Sequence, residues 1–195
     1  MTAQSKIITV FGSSRPRSGD AQYSAANALG AALAAQGFTV CSGGYAGVME
    51  AVSRGAKEAG GHTLGVTASF FRARVNRWVD EEIRVTTWQE RLFELVKRGR
   101  GYVVCPGGTG TLVELAVVWE MLNKGAMARR PLVALGEFWQ PVIERVREVE
   151  LGHESPWGEQ GEPLICIAAS PAEAAAHLAG HFEARKSRRR SSARP

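Results

Sequence analysis

Seven short apolar runs alternate along this chain with stretches long enough for a helix, and that alternation limits the fold more than any other feature. The runs fall at 6–12, 38–41, 62–66, 82–86, 101–105, 131–135 and 164–168. They are rich in Val and Ile. Strands buried on both faces read as continuous apolar runs, because neither side of the pleat meets water. Between them, 21–36, 48–59, 87–98, 112–122 and 138–150 carry helix-length patterns, and a last helix follows Ser170-Pro171-Ala172-Glu173. That tetrad places Ser at the cap, Pro at the first helical position and Glu three residues beyond the cap. Thr87-Trp-Gln-Glu90 offers the same Thr-to-Glu capping spacing. The pattern predicts an α/β protein, a Rossmann-like doubly wound parallel sheet of about seven strands with helices on both faces. With 195 residues the chain fits a single nucleotide-binding domain over 1–183, followed by a basic, disordered tail over 184–195.

In such a sheet the ligand sits at the carboxyl edge of the strands, so the loops that follow the strands carry the functional signal. Cys105-Pro106-Gly107-Gly108-Thr109-Gly110-Thr111-Leu112-Val113-Glu114 joins the fifth run to a helix and places three glycines in four positions. A glycine turn that opens a helix aims free backbone N–H groups at an anion. Gly12-Ser13-Ser14 after the first run, and Ser42-Gly43-Gly44-Tyr45-Ala46-Gly47 after the second, reach the same edge. Arg91, early in the helix before the fifth run, adds a fixed cation, and Glu114 adds a carboxylate. Thr111 and Glu114 also have capping-box spacing, so on pattern alone Glu114 is equally a helix cap. The chain contains no GxxxxGK[ST] and no GxGxxG after the first run, which excludes a Walker-type NTPase and gives no support to a dinucleotide cofactor.

Composition removes other classes. The net charge of +5 comes from the end of the chain: 184–195 carries six positive charges and no acid, leaving −1 for 1–183. The expected contact with nucleic acid is therefore weak and confined to the tail. No apolar run reaches the roughly 18 residues of a membrane span, and the first residues lack a basic-then-apolar signal pattern, so a cytoplasmic protein is expected. Cys41, Cys105 and Cys166 form no CxxC, and no metal or other cofactor is called for.

Pro106-Gly-Gly-Thr-Gly-Thr-Leu-Val-Glu114 resembles the PGGxGTxxE signature of the LOG ("Lonely Guy") family, often mislabelled as lysine decarboxylase. The resemblance extends from about Ile7 to Glu150 and includes the Gly-Ser-Ser turn, the second glycine turn leading to Gly47-Val48-Met49, and the arginine-bearing helix. Where the family has MHxRK this chain has Trp88-Gln89-Glu90-Arg91-Leu92, and its Gly-Leu-Met-Gly is here Gly47-Val48-Met49-Glu50, which marks a divergent branch. The resemblance implies hydrolysis of the N-glycosidic bond of a nucleoside 5′-monophosphate, either a cytokinin riboside 5′-monophosphate or AMP. It implies Arg91 and Glu114 as the catalytic pair and a homodimer or larger homo-oligomer. The substrate phosphate is expected on Gly12, Ser13, Ser14, Gly43, Gly44, Gly47, Gly107, Gly108, Thr109, Gly110 and Thr111. A decarboxylase using pyridoxal phosphate would need a Schiff-base lysine. Lys6, Lys57, Lys97, Lys124 and Lys186 all lie away from the glycine turns.

The expected chemistry has the phosphate anchored at the glycine turn and Glu114 facing the ribose. Arg91 beside it is expected to lower the Glu114 pKa and keep the carboxylate ionised. The competing reading is a nucleotide-binding or sensing protein with the same pocket and little or no turnover. The arginine-rich stretch 68–80 reads either as a solvated connection or as a lid. Trp88 reads as a core or interface residue.

Overall fold

Parallel pairing sets the architecture. The computed structural model describes residues 6–151 and 163–191. Its strands are β1 (Ile7–Phe11), β2 (Thr39–Ser42), β3 (Thr63–Ala68), β4 (Glu81–Val85), β5 (Gly101–Val104), β6 (Leu132–Leu135) and β7 (Ile165–Ala168). They form one seven-stranded sheet in the order β4-β3-β2-β1-β5-β6-β7, every neighbouring pair parallel. The order reverses at β1, which lies between β2 and β5, and a doubly wound sheet opens its ligand crevice at such a switch.

The helices are α1 (Ala21–Ala35), α2 (Val48–Glu58), α3 (Trp88–Arg98), α4 (Thr109–Asn123), α5 (Gln140–Leu151) and α6 (Pro171–Ser191). One apolar cluster joins β-strand residues such as Ile8, Val40 and Val103 to Leu29 and Leu33 of α1, Val52 of α2 and Leu178 of α6. The other joins Phe11, Tyr102 and Val104 to Leu95 of α3, Leu115 and Val118 of α4, and Ile143 of α5. The first cluster therefore covers one face of the sheet and the second covers the other. Cys41, Cys105 and Cys166 are free thiols, and burial pushes Cys41 and Cys105 up to about 12.

The capping signals before α3 and α6 are realised. The Glu90 N–H donates to the Thr87 hydroxyl at 3.1 Å, while the Glu90 carboxylate accepts from the Thr86 and Thr87 N–H groups. Glu173 repeats the arrangement with the Ser170 hydroxyl and the Ala169 N–H. The end of the chain differs from expectation. Helix α6 runs on to Ser191 through residues read as disordered tail, since Arg and Lys are good helix formers and extend a helix that is already nucleated. Residues 192–195, and 152–162 of the polar loop expected at 151–162, lie outside the described residues. Among the described residues no helix is long and apolar enough to cross a membrane.

Candidate active site

Strand β5 ends at Val104, and the chain turns through Cys105 to Gly108 before α4 begins at Thr109. The cap position is Gly108, whose lack of a side chain leaves the helix start without a side-chain hydrogen bond. The first intrahelical bond in this turn runs from Leu112 N–H to Gly108 C=O at 2.9 Å. The N–H groups of Thr109, Gly110 and Thr111 precede it and face out of the helix end. Two contacts fix the turn: Ser13 N–H donates to Pro106 C=O at 3.3 Å, and Trp139 Nε1 donates to Cys105 C=O at 3.0 Å.

This placement rejects the helix-cap reading of Glu114. With Gly108 as cap, Thr111 is the third residue of α4 and Glu114 the sixth, too deep for a capping box. Its carboxylate faces Arg91 instead, with Nη1 to Oε1 at 4.0 Å. Arg91 is held from several sides. Its Nε donates to Val66 C=O at 2.8 Å, its Nη2 lies 3.6 Å from Met49 Sδ, and the guanidinium carbon sits 5.3 Å from the Tyr45 ring centroid and 5.4 Å from that of Phe71. Tyr45 is itself clamped, because its hydroxyl accepts from Ala68 N–H at 2.8 Å and donates to Ala68 C=O at 3.0 Å.

The electrostatics run against the expectation from sequence. Burial raises the Glu114 carboxyl to about 7, and the Arg91 cation pulls it back only in part. The same burial lowers the Arg91 pKa while Glu114 opposes the shift. At 4.0 Å the attraction is weaker than in a hydrogen-bonded pair, so desolvation decides the sign. Glu114 is therefore a carboxyl that titrates near neutrality.

One cavity of about 1070 Å3 brings Arg91 and Glu114 together with Gly12, Ser13, Ser14, Gly107, Gly108, Thr109, Gly110 and Thr111. Gly43, Gly44 and Gly47 do not line it. A Cβ at Gly43 would overlap the Arg91 guanidinium, and one at Gly47 would overlap the backbone of Ser13 and Ser14. Gly44 and Gly47 also have φ of 74° and 70°, which favours glycine. Gly43 makes room for Arg91 and Gly47 for the Ser13–Ser14 loop, while Gly44 packs against Thr67 and Gly65 away from the cavity. Gly108 and Gly110 are the opposite case: a Cβ there would meet no protein atom within 4 Å.

Sequence reasoning missed Tyr45, Met49 and Phe71, which stand beside Arg91, and Trp88, which lines the same cavity. Tyr45 within a glycine-rich turn was the available signal. The stretch 68–80 contributes a 3-10 turn at Ser69–Phe71 and is tied to the second glycine turn by Asn76, whose N–H reaches Gly44 C=O and whose Nδ2 reaches Tyr45 C=O. Phe71 and Ala73 of this stretch reach the cavity.

The model of the SLOG cluster4 family matches residues 5–151, a span that takes in the glycine turn, Arg91 and Glu114. The chain belongs to the SLOG cluster4 family. Its resemblance to the LOG family is thereby borne out. The chain is 40% identical over 97 residues to a cytokinin riboside 5′-monophosphate phosphoribohydrolase of Mycobacterium marinum, a match covering 48% of this chain and 52% of that protein. A protein of the same name from Mycobacterium tuberculosis is 38% identical over 94 residues, covering 47% and 50%. The chain thus spans about half the length of these curated relatives. Among solved structures, the molybdenum cofactor binding protein of Rippkaea orientalis matches with a TM-score of 0.72 at 25% identity, covering 92% of this chain and 98% of that one. The molybdenum cofactor carrier protein of Chlamydomonas reinhardtii matches with a TM-score of 0.72 at 26% identity, covering 92% and 99%.

Proposed function

We propose that this SLOG cluster4 protein is a phosphoribohydrolase that cleaves the N-glycosidic bond of a nucleoside 5′-monophosphate, AMP or a cytokinin riboside 5′-monophosphate, to free base and ribose 5-phosphate. The observation that carries this reading is the buried Arg91–Glu114 pair, set one helical turn beyond a glycine-lined helix start in the same cavity. The N–H groups of Thr109 to Thr111 and the open faces of Gly108 and Gly110 receive the phosphate. That anchor holds the ribose by a group remote from the reacting carbon.

As the C1′–N bond breaks, positive charge develops on the sugar ring, as in other glycoside cleavages. The Glu114 carboxylate faces that charge and takes a proton from the attacking water as its oxygen bonds to C1′. A carboxylate of pKa about 7 is a stronger base than an ordinary one and also gives the proton up readily near neutral pH. Glu114 then passes the proton to the departing base and is regenerated, so one water is consumed and no proton is left over. Arg91 holds the carboxylate in place and bonds the ribose.

A second reading has its own support. The molybdenum cofactor proteins match over nearly the whole chain, and they carry names of binders and carriers. A protein with this cavity that binds a phosphorylated ligand without turnover fits that likeness. Screening nucleoside monophosphates for released base decides between the two: release from AMP supports hydrolysis, and tight AMP binding with no adenine released supports the binder. We further place the protein in the cytoplasm, consistent with its free thiols. We take it to be a homodimer joined through exposed Phe93 of α3 and Leu112 of α4.

A further inference from the structure

Three neighbouring strands are entered through basic residues. Lys6 directly precedes β1, Arg100 directly precedes β5, and Arg129 lies just before β6. Strands β1, β5 and β6 are adjacent in the sheet, and the pairing of Ile8 with Gly101 and of Tyr102 with Leu132 brings the three cations within one residue of the same level. They form a row along the amino edge, on strands about 4.8 Å apart. The cavity holding Arg91 and Glu114 lies at the opposite, carboxyl edge. Arg100 and Arg129 are exposed.

Helix α6 carries more positive charge to the same edge. It follows β7 and runs back along the sheet, so that by Phe182 it has reached the amino edge. There the Phe182 ring packs on Phe38 at 5.8 Å between centroids and lies 4.2 Å from the Lys6 ammonium. Arg185, also exposed, donates through Nη1 to the Arg129 C=O at 3.3 Å. The helix continues to Ser191, and positions 186, 188, 189 and 190 are all Lys or Arg. Burial lowers the His181 pKa, and Arg185, His177, Arg129 and Lys6 lower it further, so these cations lie within electrostatic reach of one histidine. Glu94, on α3 near this edge, is neutralised by Arg98 at 2.6 Å. Glu183 is the acid nearest the basic run in sequence, and 184–195 contains none.

This charge distribution selects the partner. Residues 1–183 sum to −1, so the attraction for a polyanion is local to this edge. A helix that lies in a membrane surface presents Trp, Phe or Leu to the acyl chains. Residues 184–191 hold no apolar side chain larger than alanine, and no aromatic ring on which an unpaired base could stack. What they hold is mainly arginine, whose planar fork matches phosphate oxygens in pairs. A duplex supplies such phosphates at one charge per roughly 1.7 Å of axis.

We infer that the amino edge of the sheet is a docking surface for the phosphate backbone of a nucleic-acid duplex, held by Lys6, Arg100 and Arg129 together with the basic end of α6. The surface takes in the body of the protein as well as 184–195, responds to charge and not to base sequence, and is separate from the Arg91–Glu114 cavity.

The test is fluorescence anisotropy of a labelled DNA duplex of about 20 base pairs with the full-length chain, between about 50 and 200 mM salt. The logarithm of the binding constant falls with the logarithm of salt concentration at a slope of about −4 or steeper, as for some five neutralised phosphates. Arg100→Ala combined with Arg129→Ala weakens binding about tenfold and makes the slope shallower by about two. Arg100→Glu alone, at an exposed position, gives a loss of about the same size. Arg74→Ala, which removes an exposed arginine from the stretch beside the cavity, stays within about twofold of wild type. Unchanged affinity and slope in both edge variants overturns the inference by confining binding to the tail. It is equally overturned by no duplex binding at about 50 mM salt, by a loss on Arg74→Ala as large as on the edge variants, or by vesicles of phosphatidylserine and phosphatidylcholine binding as tightly as the duplex or more so.

Discussion

Arg91 Nη1 stands 4.0 Å from Glu114 Oε1, near enough for the charges to couple and too far for a direct hydrogen bond. The gap leaves burial as the stronger influence on the carboxyl, which therefore titrates at about 7. A raised carboxyl pKa means that the proton stays on below that value, so the base form is lost as pH falls through it. The kcat/KM for adenine release should fall about tenfold per pH unit below 7 and level off above it. A profile that is flat down to pH 5 would show that Glu114 ionises as an ordinary carboxyl.

Arg91 still pulls the Glu114 pKa downward, against burial. Replacing Arg91 with Met keeps the volume and removes the cation, so only desolvation remains. Carboxyl-carbon NMR of Glu114 in Arg91→Met should titrate above 7, higher than in the wild-type chain. An unchanged or lower value would mean that the two groups are not coupled.

Gly108 and Gly110 separate ligand binding from folding, because the protein itself leaves space for a side chain at both. Gly110 lies in the first turn of α4, where alanine is the better helix former by roughly 0.5–1 kcal/mol. Gly110→Ala should therefore unfold at a temperature no lower than wild type while its AMP affinity drops about tenfold or more. Gly108→Ala should likewise fold normally and bind AMP weakly. Retained affinity in both variants would put the phosphate elsewhere.

Gly43 behaves differently, since a methyl group there would collide with the guanidinium and with Met49 Sδ. Gly43→Ala should displace Arg91 from Val66 C=O and lower kcat/KM by about a hundredfold, the scale of loss when a reacting group moves by an ångström. Circular dichroism should show a retained fold. Wild-type kinetics would mean that the position of Arg91 is not critical.

The sheet was legible because strands buried on both faces leave continuous apolar runs, and helices between such runs indicate parallel pairing, whereas the strand order came only with the fold. The edge loops were legible for the same reason. The details of the site were not. Thr87–Glu90 and Thr111–Glu114 have identical spacing, yet only the first is a capping box, because α4 starts two residues before Thr111 on a glycine cap. Sequence spacing does not reveal which turn of a helix a residue occupies. Gly43 and Gly108 look alike in the sequence, and only the fold shows that one makes room for Arg91 while the other borders open space. The direction of the Glu114 shift was misread because the charge beside it could be named from the chain, whereas its burial by distant elements could not. Tyr45 and Phe71 reach the site from loops, where no periodicity marks which side chain turns inward.

The most direct test of the central claim is single-turnover release of adenine from AMP by wild type and by Glu114→Gln. Glutamine preserves the shape of the side chain and removes its basicity, and the helix cap at Gly108 does not depend on it. The account predicts that Glu114→Gln still binds AMP but releases adenine at least about a thousandfold more slowly. Equal release by both proteins would contradict it.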